Sequence, residues 1–91
     1  MDAPIYNNII LSRFELMKDG HMAYADYGLE NGILTVRFVF APEELRGTGA
    51  AGDLMAGVVV FARDENLKIM PICGYAAAWL RKHPEYAPLM A

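Results

Sequence analysis

A single cysteine, Cys73, stands among 91 residues, so the chain closes no internal disulfide on its own, and a reducing, cytoplasmic setting is expected. No block of five or more basic residues exists, and 8 Lys plus Arg face 11 Asp plus Glu, for a net charge of -3. A nucleic-acid footprint needs clustered Lys and Arg, so nucleic acid is not an expected partner. No apolar run reaches the roughly 18 residues that read as a bilayer-spanning helix, so no membrane segment is expected. The opening stretch, MDAPIYNN, lacks the basic and apolar regions of a signal peptide. There is no internal repeat, linker or low-complexity tract, and no metal site is expected.

Apolar residues are what the chain has in quantity, at 55%. That content excludes disorder, which needs a low apolar fraction. The length suits one small domain with one core, spanning residues 1–91. So high a fraction in so short a chain has two readings. One is an ordinary core rich in alanine and methionine. The other is apolar surface covered by a ligand, a partner or a second copy, and a homodimer is the simplest such assembly.

The pattern along the chain is β-rich first and helical later. Residues 9–17, IILSRFELM, read as a first strand, and Lys18-Asp19-Gly20 as a turn. Residues 21–29, HMAYADYGL, alternate imperfectly but favour a strand. Glu30-Asn31-Gly32 is a strong hairpin signal. Residues 33–41, ILTVRFVFA, have the highest β-branched and aromatic content. From Thr48 to about Asp64 the apolar positions Ala51, Leu54, Met55, Val58, Phe61 and Ala62 follow helical spacing. Gly52 and Gly57 each cost roughly 1 kcal/mol inside a helix, which close contact with a sheet or ligand, or simple tolerance, accounts for. Residues 67–72, LKIMPI, read as a short strand parallel to 33–41, and residues 73–82 as a second helix stopped by His83-Pro84. The expected fold is α+β: a mixed, mostly antiparallel sheet of about four strands with two helices, in the order β-β-β-α-β-α.

The stretch LRGTGAAGDL, residues 45–54, joins the strand-rich half to the helical half. Three glycines within six residues let backbone N–H groups approach a ligand without side chains in the way. A helix start aims unpaired N–H groups and the positive end of its dipole at the same place. Together they describe an anion site. Gly47-Thr48-Gly49-Ala50-Ala51-Gly52 matches the dinucleotide fingerprint G-x-G-x-x-G, but that motif requires a strand running straight into the first glycine and an acid about 20 residues on. Pro42 to Arg46 intervene here, and the next strand ends in Pro71-Ile72-Cys73. A P-loop is excluded because no Gly-Lys-Ser/Thr follows.

The other frame, R-x-x-G-x-A at Arg46, Gly49 and Ala51, resembles the acyl-CoA pyrophosphate loop of the GNAT superfamily of N-acetyltransferases. The element order resembles the central part of that fold. Pro71-x-Cys73, the helix with Trp79 and Leu80, and the ending Arg81-Lys82-His83-Pro84-Glu85-Tyr86 resemble a small single-domain GNAT-like family. The resemblance spans about residues 14–86. It implies an α+β GNAT-like fold and acetyl-CoA or CoA as co-substrate. It implies cofactor contacts from Phe40 and Ala41 on the strand and from Leu45, Arg46, Gly47, Thr48, Gly49, Ala50 and Ala51 in the loop, with the backbone N–H groups of 46–51 on the pyrophosphate. Members often carry His-Thr near the end of the strand before the loop. Phe38 and Val39 stand there, so no histidine role carries over, and His21 and His83 read as structural or solvated.

Cys73 follows a strand and opens a helix, where the macrodipole favours a thiolate. It is either a nucleophile or site-lining thiol, or a packed core residue. Tyr75 is a weaker candidate for the general acid, with a packing aromatic as the alternative. Trp79 and the alanines at 76–78 are expected to pack on the sheet. The function implied is acetyl transfer from acetyl-CoA to a primary amine of a small molecule or peptide. The alternative is a CoA- or acyl-CoA-binding module with little catalysis, and a third reading is an interaction domain that keeps the fold alone.

Overall fold

The computed structural model describes residues 5–91. Five strands form one sheet in sequential order: β1 (Ile5–Asn8), β2 (Arg13–Lys18), β3 (His21–Glu30), β4 (Ile33–Phe40) and β5 (Lys68–Pro71). The first four pair antiparallel, and β4 pairs with β5 in parallel across the helix α1 (Ala50–Asp64). The helix α2 (Gly74–Arg81) follows β5, and a 3-10 segment, Pro84–Leu89, follows α2. The expected mixed sheet with two helices is present, with one strand more than anticipated.

The additional strand corrects the start of the chain. Residues 9–12 are not strand but the turn of a β1–β2 hairpin, with Ser12 at φ 53°. The Asn8 side chain accepts from the Leu11 N–H at 3.1 Å, which closes that turn locally. Strand propensity at Ile9 and Ile10 therefore loses to asparagine turn chemistry, and Ile10 is left 94% exposed. The other two hairpins use Asp19-Gly20 (φ 52° and 79°) and Asn31-Gly32 (φ 53° and 77°). Two successive positive φ values are the two-residue turn whose twist matches its flanking strands.

One core lies between the sheet and both helices. Phe14, Leu16, Ala23, Ala25 and Tyr27 face it from β2 and β3, and Leu34, Val36 and Ile69 from β4 and β5. Ala50, Leu54, Met55, Val58, Val59 and Ala62 of α1 and Ala76 and Leu80 of α2 close it. Ala51 and Phe61, expected inside, are only half-buried. The helix begins at Ala50 rather than Thr48 and ends with Asn66 in the left-handed region (φ 57°). There Leu67 N–H donates to Ala62 at 2.8 Å and Asn66 N–H to Arg63 at 3.3 Å. That double bond satisfies carbonyls the helix end would leave open. Gly57 earns its place by contact: a Cβ there would lie 2.8 Å from the Ile5 Cδ1 of β1.

A register shift between β3 and β4 decides which β4 side chains face where. Asp26 pairs with Phe38 but Tyr27 pairs with Val36, so Arg37 is an extra residue on β4. Such a bulge puts two successive residues on one side. Leu34 and Val36 face the core before it and Val39 and Ala41 after it. Arg37, Phe38 and Phe40 are turned to the far face, where the Phe40 and Phe38 rings lie 5.2 and 6.3 Å from that of Tyr24. Trp79 packs against the core, stacks on His83 at 3.8 Å and on Tyr86 at 5.8 Å, and brings its indole nitrogen 3.4 Å from where a Cβ on Gly52 of α1 would lie.

Candidate functional site

β4 outruns β5. Their ladder ends at Val36, whose carbonyl accepts from both Ile72 N–H (2.9 Å) and Cys73 N–H (3.1 Å). Past that point β4 continues to Phe40 with no strand on this edge among the described residues, and the chain after β5 turns away into α2. A wedge-shaped gap results. At its wide end stands the loop between β4 and α1.

That loop is a 3-10 turn, Glu43–Leu45, followed by two glycines in the left-handed region, Gly47 at φ 81° and Gly49 at φ 86°. Gly49 is the N-cap of α1. Nothing lies within 4 Å of a Cβ added at either glycine, so backbone conformation, not crowding, demands them. The buried Leu45 anchors the turn, Lys18 Nζ donates to the Thr48 carbonyl at 3.3 Å, and Arg46 Nε donates to the Ala41 carbonyl at 3.3 Å.

A cavity of about 500 Å³ opens between this loop, the end of β4 and α2. Of the residues singled out from sequence, Phe40, Ala41, Leu45, Arg46, Gly47, Gly49, Ala50, Ala51 and Tyr75 line it. Thr48 and Cys73 do not. Thr48 is exposed and folds its hydroxyl back to donate to the Leu45 carbonyl of its own turn. Cys73 is half-buried against the core at the narrow end of the gap, as the N-cap of α2. Phe38, Val39 and Gly52 line the cavity and were not singled out as ligand contacts. Gly52 belongs to the glycine run, so its spacing was the available signal; the bulge that turns Phe38 has none in the sequence.

The donor set corrects the expectation that every N–H of 46–51 faces a ligand. Leu45 donates to Pro42 (2.9 Å), Arg46 to Glu43 and Thr48 to Leu45 (both 3.1 Å), because the 3-10 turn uses them. The N–H groups of Gly47, Gly49, Ala50, Ala51 and Gly52 donate to no backbone carbonyl among the described residues. Five open donors at a helix start, with Arg46 beside them, make a cradle whose chemistry suits an anion. A second cavity of similar size, between β1, β2 and α1, carries Asp53 and Asp64 and no basic side chain, which suits an anion poorly. Tyr75 is partly exposed, and its phenol is pushed above the usual tyrosine range, first by desolvation and then by the charge of Asp53. Among the described residues no three His, Cys, Asp or Glu side chains stand together as a metal site.

The fold defines the class: an α+β domain in which a helical crossover joins two parallel strands of an otherwise antiparallel sheet. Comparison with known proteins makes the class specific. The profile of a family described as GCN5-related N-acetyl-transferase matches residues 13–89. The chain belongs to this family and is an acetyltransferase by that membership. The solution NMR structure of a candidate GCN5-like N-acetyltransferase from Staphylococcus aureus is similar over 98% of this chain and 88% of that one, at 26% identity and a TM-score of 0.78. No curated protein sequence matches.

Proposed function

We propose that the chain transfers the acetyl group of acetyl-CoA to a primary amine. The observation that carries this reading is the cradle of five open N–H groups at 47 and 49–52, placed at the mouth of the β4–β5 gap. These donors bind the CoA pyrophosphate, with the Arg46 side chain adding a charge-assisted contact. The β4 edge from Phe38 to Ala41 offers backbone groups to the pantetheine arm, as an added strand would take them. From Phe40 to Val36 the edge runs about 13 Å at roughly 3.3 Å per residue, so the acyl end lies toward Val36 and Cys73. Bound there, acetyl-CoA supplies the activated acyl group. Tyr75 stands at the cradle end of the cavity, its hydroxyl 3.8 Å from where a Cβ on Gly52 would lie, so its phenol is suited to donate to a phosphate oxygen there. Cys73, at a helix start beside Val36, is placed to take the acetyl group on its sulfur and pass it on.

Thermal shift with acetyl-CoA, CoA and NAD tests the reading. A ligand at 100 times its Kd stabilises by about 2.7 kcal/mol, so CoA and acetyl-CoA raise the melting temperature and NAD does not. No shift with either CoA form contradicts the proposal. Release of CoA thiol with an amine panel then separates transfer from binding alone.

A further inference from the structure

Among the described residues, two opposite charges on the far face of the sheet, Asp26 and Arg37, form no ion pair, although Asp26 stands across the strands from Arg13. Arg13 and Glu15 satisfy each other on that face at 2.6 Å, and Arg13 also lies 4.7 Å over the Tyr24 ring. Asp26 and Arg37 have neither an ion pair nor a side-chain hydrogen bond among the described residues. Both stand at the bulge. Asp26 is the cross-strand partner of Phe38, and Arg37 is the inserted residue itself. The Arg37 guanidinium lies where a Cβ on Gly28 would be, so the glycine lets it rest flat on β3. Positions 26 and 28 share a face two residues apart, about 7 Å along β3 at roughly 3.3 Å per residue, so the guanidinium over Gly28 stands about that far from the Asp26 backbone. An ammonium and a carboxylate on one small molecule fit between them. Beside this slot Tyr24, Phe38 and Phe40 form an aromatic surface, with Phe38 and Phe40 rings 6.4 Å apart.

The slot adjoins the narrow end of the β4–β5 gap, since Arg37 directly follows Val36, where the ladder stops. Resting on the acetyl-transfer reading above, we infer that the acceptor is an amino acid with an apolar or aromatic side chain, its carboxylate held by Arg37, its amino group by Asp26, and its side chain on Tyr24, Phe38 and Phe40. The ammonium gives one proton to the Asp26 carboxylate, which passes it to water. The freed nitrogen lone pair forms the N–C bond to the acetyl carbon as the C–S bond breaks and its electron pair leaves with sulfur. The second proton shed by nitrogen balances the one taken up by the thiolate. A guanidinium and a carboxylate at fixed spacing select the zwitterion over a bare amine.

The test compares L-phenylalanine with 2-phenylethylamine, which lacks only the carboxylate. In the 15N-labelled full chain saturated with CoA, phenylalanine is expected to move the Gly28 and Phe38 amides and the Arg37 Nε resonance. Phenylethylamine is expected to leave Arg37 Nε in place. In turnover, kcat/KM favours phenylalanine by about tenfold or more, the scale of one charge-assisted hydrogen bond. Arg37→Ala narrows that ratio toward one through KM, and Gly28→Ala, which displaces the guanidinium, narrows it partway. Asp26→Asn lowers transfer to both amines. An unmoved Arg37 Nε, or equal kcat/KM for the two amines, overturns the inference while leaving acetyl transfer standing. Failure to bind CoA at all removes the acetyl-transfer reading first, and this one with it.

Discussion

The Cys73 N–H donates to the Val36 carbonyl at 3.1 Å, and this bond marks the point where β4 and the chain leaving β5 part company. It fixes Cys73 at the narrow end of the gap and at the N-cap of α2. Cys73→Ala is therefore expected to lower acetyl transfer by at least about tenfold while changing CoA affinity little, the scale of losing an activated nucleophile rather than a binding contact. Intact mass after mixing with acetyl-CoA should show one acetyl group on the parent chain and none on the variant. Equal activity in both makes Cys73 a packing residue.

Gly49 sits at φ 86° as the N-cap of α1. A side chain there costs about 1–2 kcal/mol for the left-handed backbone alone. Gly49→Ala should lower the melting temperature by roughly 4–8 °C per kcal/mol lost, as for domains of this size. Gly49→Glu should in addition abolish the thermal shift with CoA, because a carboxylate faces the phosphates. A folded Gly49→Glu protein with undiminished CoA affinity would place the anion elsewhere.

Gly57 meets Ile5. Alanine at 57 gains about 1 kcal/mol of helix propensity but places its Cβ 2.8 Å from Ile5 Cδ1 and 3.2 Å from Cγ2. Gly57→Ala alone is expected to be neutral or destabilising in urea unfolding. Combined with Ile5→Val, which removes the Cδ1, it should recover the propensity gain. Full additivity of the two substitutions would deny the contact between β1 and α1.

Tyr75 supplies a pH signature. Its phenol holds its proton to higher pH in the folded chain than an unfolded tyrosine, whose pKa is about 10. Above that pH the unfolded state releases the proton first, so stability falls as pH rises. Tyr75→Phe removes that contribution. Its urea midpoint should therefore decline less steeply than the parent's between about pH 9.5 and 11. Parallel slopes would mean that the phenol is not desolvated.

Much of this was legible in the residues. Asp19-Gly20 and Asn31-Gly32 announced their turns because few pairs other than Asn/Asp-Gly tolerate two positive φ values. The glycine run marked the cradle, and apolar spacing marked α1. What escaped depends on tertiary pairing. Residues 9–12 carry strand-like side chains, yet the Asn8 cap and the alignment of Phe14 and Leu16 with Ala25 and Ala23 make them a turn. The bulge at Arg37 leaves no mark in composition, because ILTVRFVF reads as an uninterrupted strand. The use of the Arg46 and Thr48 donors by the 3-10 turn was hidden for the same reason: only folded geometry shows which N–H groups are already paired.

Backbone amide chemical shifts on titration with CoA test the central claim most directly. Large shifts are expected at Gly47, Gly49, Ala50, Ala51 and Gly52 and along Phe38 to Ala41, with little change at Arg46 and Thr48, whose protons are internally bonded. Shifts confined to the cavity between β1 and α1, or none at the start of α1, would contradict it.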